Sequence, residues 1–589
     1  MADAPHPPPK PPFAAADAGE REDCSHLTPL VAKAWERELR KAPAYPEEKI
    51  ARLVDAIRYG VDIGYRGDRR RGRRADNSRT TADPRVAELI SAAIAVDVEA
   101  GYKRGPFDAP PFTPFHVSPL SGVPKGEDGI RVIHNLSHPF GGDSINAGIE
   151  REVYIMQRFE DAIAAIRRLG RGCRLSKFDV RAAFKLVPVR PEDRPLLGLV
   201  WQGKYYYEVV LPFGLRTSGY RWEEFAEALH FLCTEHLGIE LVFHYVDDFL
   251  FVAPPADGVR AERERQAFEA LCRILGVPIA DEKTVGPATR CVFLGIEIDT
   301  DKMECRLTDK RVGKLRSLLQ AWAAADHQFT FEELASLVGK LEFATTVIRP
   351  GTAFLRCMRG YMMDLKRARA AGGNERRRLG VAALLEVRWW LDAFLTSAGN
   401  RRAIIEQPWL LDADMELYTD ACDTGYGACF GNRWFQGRWT PAQLEFARVH
   451  TRISMPFLEL HALTHAAVTW GHLWRGKRIT FRCDAEAAVI AVQKMRSRKD
   501  SMSALLRLLY ATSVRHDFLF RCVHVPGVTN VVADALSRGC SLQELRRVQP
   551  SAEAEPTPAP PLQLDGEDMV PWKEEPLGQP PAGPPLWQL

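Results

Sequence analysis

Charge of one sign is what this 589-residue chain has least of: 79 lysines and arginines face 76 aspartates and glutamates, for a formal net charge of +3. So weak a balance announces no polyanionic partner, and any such partner must be met by local placement of cations. Paired cysteine motifs are missing too. The twelve cysteines include no Cys-x-x-Cys, which argues against a zinc ribbon or a compact disulfide scaffold and favours a reducing compartment. Long apolar runs are absent: the longest candidate, 241–254, is broken by Asp247 and Asp248, two adjacent charges that are expensive in hydrocarbon. The Pro-rich start, Met1 to Phe13, lacks the basic-then-apolar order of a signal peptide. These absences predict a soluble intracellular protein, cytoplasmic or nuclear, with no membrane partner. No internal repeat is present.

The composition that is there, 46% hydrophobic and 26% charged, suits globular domains, and the length calls for roughly three or four of them. Residues 1–25 read as a disordered leader rich in Pro, Ala and charge. Residues 26–84 form a helical N-terminal segment with a basic linker. Its run of Arg66, Arg69, Arg70, Arg71, Arg73 and Arg74 reads chiefly as solvated linker, with phosphate binding or a nuclear address as the functional alternative. Mixed strands and helices fill 85–300. From 301 to 405 apolar residues such as Val312, Leu315, Leu318 and Leu319 recur at helical spacing. Strands and helices alternate again over 406–540, and 541–589 reads as a Pro-rich disordered tail.

RLSKFDV reads as a strand delivering Asp179, and LVFHYVDDFLFV sets Asp247 and Asp248 between two apolar arms, the pattern of a tight hairpin with acidic residues at its turn. Clustered carboxylates suit phosphoryl transfer, which uses two divalent ions about 3.5–4 Å apart, and Mg²⁺ prefers carboxylate and phosphate oxygens. An Asp pair alone is more simply a pair of turn residues. The surroundings change the weighing. FDVRAAF, LPFGLRTSGYRW, YVDD and FLGIEID follow one another in this order and together resemble the palm motifs of reverse transcriptases.

That resemblance implies metal binding by Asp179 and Asp247, with Asp248 as the supporting carboxylate. It implies that Phe184 packs under the incoming sugar and excludes a 2′-hydroxyl, where the plainer reading is a core phenylalanine. Phe213 and Gly214 would lie near the nucleotide, the glycine letting backbone approach closely. PLSGVPKGEDGIRVIHNLS resembles the fingers hairpin, so Lys125 and Arg131 would neutralise the triphosphate, a point charge and a fork. Lys283, in GVPIADEKT, becomes a candidate general acid near the pyrophosphate, and Phe293 to Asp299 the turn that grips the primer. One departure touches template positioning: Ser218 is followed by Gly219, where the family often has proline.

A second set of acids follows. MELYTD ends a strand near Asp420, PFLELHALTHAAVTWGHLW is a helix with Glu459 near its start, RITFRCD is a strand ending at Asp484, and NVVADALSR is a helix bearing Asp534. Acids at the ends of α/β elements are placed to converge beside a sheet, and these motifs resemble RNase H, whose four acids bind two metal ions. Three other patterns weigh little. Asp423-Thr424-Gly425 looks like an aspartic protease signature but lies inside this opening. GYGACFG has glycines spaced wrongly for a dinucleotide loop and leads into a strand. His461 and His465, four apart on a helix, lack an evident third zinc ligand. His524 precedes PGVTN at a strand-like position and is given no catalytic role.

The expected fold class is multidomain α+β and α/β: a right-hand polymerase with fingers and palm over 85–300, a helical thumb and connection over 301–405, and an RNase H-like α/β domain over 406–540, between disordered termini. The resemblance implies an RNA-directed DNA polymerase and RNA–DNA hybrid ribonuclease, with two Mg²⁺ per centre and Mn²⁺ as a substitute. Its partners would be RNA template, DNA primer, RNA–DNA hybrid and deoxynucleoside triphosphates. VDIGYRG, GPFDAPPF, LSHPFGGDSIN and ASLVGKLEFATTVIRPG further resemble the DIRS-type branch of retrotransposons. The rival readings are a non-catalytic nucleic-acid-binding relic and an RNA-dependent RNA polymerase; Phe184 and the RNase H motifs speak against the latter.

Overall fold

Capping and alternation account for where the elements begin and end in the structure, a computed structural model. It describes residues 21–562 apart from 71, 73–76, 78–82, 126–128, 153, 155, 325–326, 372, 374–375, 397–398, 405–414, 452–454, 476, 498, 517 and 560–561. Arg71, Arg73 and Arg74 of the basic run, the first 20 residues and the tail from 563 lie outside the described residues. The chain divides into two compact units, Met1–Leu294 and Gly295–Leu589.

In the first unit, α1 (Ala32–Arg40) and α2 (Glu47–Tyr59) precede α3 (Pro84–Glu99). The start of α3 is fixed by the Asp83 carboxylate, which accepts from the backbone N–H groups of Arg85 and Val86, with Pro84 in the first turn. Strand β1 (Lys103–Phe107) is followed by the hairpin of β2 (Leu120–Lys125) and β3 (Gly129–His134). Then come α4 (Phe159–Leu169), β4 (Arg174–Asp179), β5 (Gly198–Trp201), β6 (Lys204–Glu208), α5 (Ser218–Phe231), β7 (Val242–Tyr245), β8 (Asp248–Ala253), α6 (Gly258–Leu275), β9 (Val285–Ala288) and β10 (Arg290–Phe293).

Two small sheets organise this unit, one in the order β1-β6-β5 and one in the order β7-β8-β4-β9. Phe178 of β4 and Phe249 and Phe251 of β8 close on Phe268 of α6 with ring centroids 4.6 to 5.5 Å apart, an aromatic core with tilted and edge geometry. Helices α1 and α2 share this core rather than standing apart. Trp35, Leu39 and Ile57 are buried in it, and the Trp35 indole donates to the Leu275 carbonyl at 3.1 Å.

In the second unit β11 (Ile296–Asp299), β12 (Glu304–Leu307) and β13 (Arg402–Ala403) pair antiparallel. Between β12 and β13 run the expected helices: α7 (Asp309–Ala323), α8 (Phe331–Ala344), α9 (Arg356–Ala370) and α10 (Val381–Trp389). Thr330 and Glu333 form a capping box at the start of α8.

The remaining strands, β14 (Glu416–Ala421), β15 (Gly425–Phe430), β16 (Arg433–Arg438), β17 (Arg478–Cys483) and β18 (Leu519–His524), make one sheet in the order β16-β15-β14-β17-β18. The first three run antiparallel, while β14, β17 and β18 are parallel. Parallel neighbours require crossovers, and α11 (Pro441–Thr451), α12 (Met455–Trp470), α13 (Glu486–Gln493) and α14 (Asp500–His516) lie within them.

After β18 come α15 (Val531–Ser537) and α16 (Leu542–Val548). The expected tail starts too early. Residues 541–559 pack onto the sheet: the Trp434 indole donates to the Glu553 carbonyl at 3.0 Å and the Thr557 N–H to the Trp434 carbonyl at 2.8 Å. Their Pro, Ala and Glu composition conceals an anchor made of backbone groups and partner indoles. Among the described residues no helix is long and apolar enough to cross a membrane.

Candidate active sites: two carboxylate clusters

Strand register brings the first acids together. In the antiparallel pair of β4 and β8, Asp179 stands opposite Asp248, and in the hairpin of β7 and β8, Tyr245 stands opposite the same Asp248. Only Val246 and Asp247 are left for the turn. Val246 takes a left-handed φ of +58°, an uncommon conformation for a β-branched residue. Hydrogen bonds hold it there: the Trp222 indole of α5 donates to the Val246 carbonyl at 2.7 Å, and the Val180 N–H donates to the Asp247 carbonyl at 2.8 Å.

Asp247 is pushed up to about 6, by burial first and then by the Asp248 and Asp179 charges. Mutual repulsion of this kind is what a hard divalent cation relieves, and the all-carboxylate donor set fits such an ion. Side-chain cations stand beside the other two acids: Lys283 Nζ lies 2.7 Å from Asp179 Oδ1 and Lys177 Nζ 2.8 Å from Asp248 Oδ1. Lys283 is thus brought to the acids themselves. Its loop is tied in by the Ala280 N–H, which donates to the Asp179 carbonyl at 2.9 Å. Lys177 was not singled out from the sequence, although a residue two before Asp179 in a strand shares its face.

The nucleotide-side candidates also meet. Phe184 and Phe213 have ring centroids 5.2 Å apart, and the Arg131 guanidinium lies 4.7 Å from the Phe213 centroid. Phe184 is half-buried and rests against the unit's main core, so the packing role is real beside any role at a sugar. Gly214 has φ +107°, and a Cβ there would sit 2.0 Å from the His134 carbonyl oxygen; only glycine allows this loop to close on β3. The Lys125 backbone belongs to β2, but its side chain lies outside what the structure describes.

In the second cluster, the Asp420 carboxyl of β14, Glu459 on α12 and Asp484 just past β17 converge. The Glu459 carboxylate accepts from the Ala421 N–H at 3.0 Å. Burial, then Asp420 and Asp484, push Glu459 up to about 9. Burial, then Asp484 and Asp534, push Asp420 up to about 6. Ligand atoms of Glu459, Cys483 and Asp484 lie within 4.8 Å of one another, close enough to hold an ion.

Asp534 on α15 feels the same field but is clasped by Arg538 one turn on, at 2.9 and 3.1 Å, a pairing that i,i+4 spacing foretells. The buried Asn530 amide donates to the Thr419 carbonyl at 2.9 Å and fastens α15 to β14. Cys483 and Asn530 were not found from the sequence. Cys483 lies on the strand next to its acid, and no spacing rule predicted that its thiol would turn toward Glu459.

The set-aside patterns fall where the sequence put them. Asp423 and Thr424 lie in the turn between β14 and β15, GYGACF from Gly425 on is β15 itself, and His461 and His465 are fully buried in the core. The exposed His524 ring lies 3.0 Å from the Asp484 carbonyl.

Comparison with known proteins gives a family match over part of the chain. Residues 131–298 match the family described as reverse transcriptase (RNA-dependent DNA polymerase), a span holding Arg131, Asp179, Phe184, Phe213, Gly214, Asp247, Asp248 and Lys283. Polyprotein P3 of Commelina yellow mottle virus is 22% identical over 433 residues, 72% of this chain and 20% of that protein. The chain therefore spans about a fifth of the length of that curated relative. Among solved structures, a foamy viral protease-reverse transcriptase in complex with double-stranded DNA is 15% identical with a TM-score of 0.43, covering 87% of this chain and 84% of that one. The foamy viral enzyme in complex with an RNA/DNA hybrid is 13% identical with a TM-score of 0.36, covering 87% and 86%.

Proposed function

We propose that this chain is an RNA-directed DNA polymerase that also cleaves the RNA of RNA–DNA hybrids, and that it copies a retroelement RNA into DNA. The observation that carries the reading is the register of β4 with β8, which sets Asp179 opposite Asp248 and beside Asp247 inside the span matching the reverse-transcriptase family. The phrasing of VDIGYRG and LSHPFGGDSIN supports the DIRS-type branch.

Asp179, Asp247 and Asp248 would hold the divalent cations of the polymerase centre, and Asp420, Glu459, Asp484 and Asp534 those of the hybrid-cleaving centre. Bound there, such ions supply Lewis-acid stabilisation of phosphate oxygens and activate the attacking oxygen. The chain's own groups do the rest. Arg131, braced on the Phe213 ring, would meet the triphosphate with a planar fork. Lys283, whose ammonium pairs with Asp179, would hold a proton for the leaving pyrophosphate. Phe184 would set the sugar floor and so favour deoxynucleotides. Template pairing chooses the base, so contacts to primer and template would be directed at the backbone and weakened by salt.

The test is extension of a primed RNA template with deoxynucleotides and Mg²⁺. Wild-type protein is expected to extend the primer, and Asp247→Asn to lose at least about a thousandfold in rate, on the scale set by charge-stabilising groups. Extension that survives this substitution would refute the assigned centre.

A further inference from the structure

We propose that Lys185, held by Asp97, is a positioning residue through which the protein sets the Phe184 ring for selection of the sugar. The inference rests on the polymerase reading above and deepens it at the same site.

Asp97 lies in the last turn of α3, a turn that carries no basic residue, although a helix C-terminus favours cations. Its partners come from elsewhere. Lys185 pairs with Oδ1, and Lys103 Nζ sits 2.9 Å from Oδ2 and 2.6 Å from Glu208 Oε1. Side-chain exposures of 4% for Lys103, 3% for Glu208, 13% for Asp97 and 16% for Lys185 make this a buried quartet of balanced charge. Burying each ion costs several kcal/mol, and apolar side chains of similar volume stabilise as well or better. Such a quartet is therefore weak as a stabilising device and strong as a way to fix one arrangement.

What it fixes is the short helical turn Ala183–Leu186, which carries Phe184 beside Lys185 and is entered through Ala182 at φ +53°. A left-handed alanine is strained, and Lys185 steadies the turn from both ends. Its N–H donates to the Ala182 carbonyl at 2.7 Å, and its ammonium lies on Asp97 and 5.0 Å from the Tyr102 ring centroid.

The second ring neighbours the quartet without being bonded to it. Glu208 ends β6 shortly before Phe213, and its Oε1 is 3.7 Å from His134 Nδ1. The His134 backbone N–H in turn donates to the Phe213 carbonyl at 2.8 Å. Phe184 is thus tied from behind to a buried network through its neighbour Lys185, and Phe213 rests against the Phe184 ring.

The experiment is single-nucleotide primer extension by the full chain, comparing deoxy- with ribonucleotides for wild type, Lys185→Met, Lys185→Arg, Asp97→Asn and Phe184→Val. Lys185→Met and Asp97→Asn are expected to raise KM for deoxynucleotide about fivefold with kcat within about twofold, and to lower the deoxy-over-ribo preference in kcat/KM about tenfold. Phe184→Val should move the preference in the same direction, and Lys185→Arg should restore part of it. Should Lys185→Met not fold, Asp97→Asn keeps shape and volume and decides alone. Variants that melt like wild type and keep both KM and preference overturn the inference, as do variants that lose kcat and melting temperature with preference intact. Wild type that extends no primer removes the polymerase reading and the inference with it; active wild type with a Phe184→Val effect and silent Lys185 and Asp97 variants removes the inference alone.

Discussion

His461 packs between the rings of Tyr426, Trp439 and Phe457, with centroids 5.0 to 6.5 Å away. Neither ring nitrogen has a hydrogen-bond partner among the described residues. Burial, aided by His465, pushes its pKa down to about 3. Unfolding frees it to take a proton near pH 6.5. Below that value the unfolded state binds more protons than the folded one, so stability contributed by neutral His461 is present above the unfolded pKa and lost as pH falls. Wild type should therefore lose about 2 kcal/mol between pH 7 and 5 through this group, and His461→Phe should lack that part of the slope. Equal slopes in denaturant titrations of both proteins at the two pH values would sink the account. At this scale the acids were legible in the sequence because strand ends and turns advertise them. Of their attendants, Arg538 on Asp534 was readable from i,i+4 spacing, whereas Lys177 shares a strand face with Asp179 but meets Asp248 only through the pairing of β4 with β8.

The hairpin of β7 and β8 was legible because apolar arms flank the two aspartates. The strap over 541–559 was not, because proline and alanine announce a tail while the contacts that hold it come from Trp434 and Trp470. The Trp470 indole donates to the Thr557 hydroxyl at 3.2 Å, and Leu545 is fully buried beneath Ser541's capping box. Chains ending at 559 and at 540 isolate this element. The shorter one is expected to melt at least about 4 °C lower, since burying one leucine is worth about 1.5–3 kcal/mol. Coincident melting curves would mean that the strap adds nothing. Nor was the place of α1 and α2 legible: helical periodicity found them, but only packing puts Trp35 and Ile57 into the core that carries the first acids.

At the scale of the whole molecule, each carboxylate cluster sits in its own compact unit. Sites that share no partner residues are expected to act independently. Asp247→Asn is expected to stop primer extension and leave cleavage of a preformed hybrid within about twofold, and Asp484→Asn to do the reverse. Loss of both activities in either variant, measured on properly folded protein, would mean that the clusters are not independent. The order of segments was readable because each carries its own motifs; the place of the division was not, because Leu294 and Gly295 lie inside the single motif FLGIEID. The parallel arrangement of β14, β17 and β18 has a consequence for a chain emerging from the ribosome. Asp420 leaves the exit tunnel 114 residues before Asp534, which is several seconds or more of synthesis at about 5–20 residues per second. Asp179, Asp247 and Asp248 have all emerged by then, so a nascent chain can assemble its first carboxylate cluster before the last acid of the second exists.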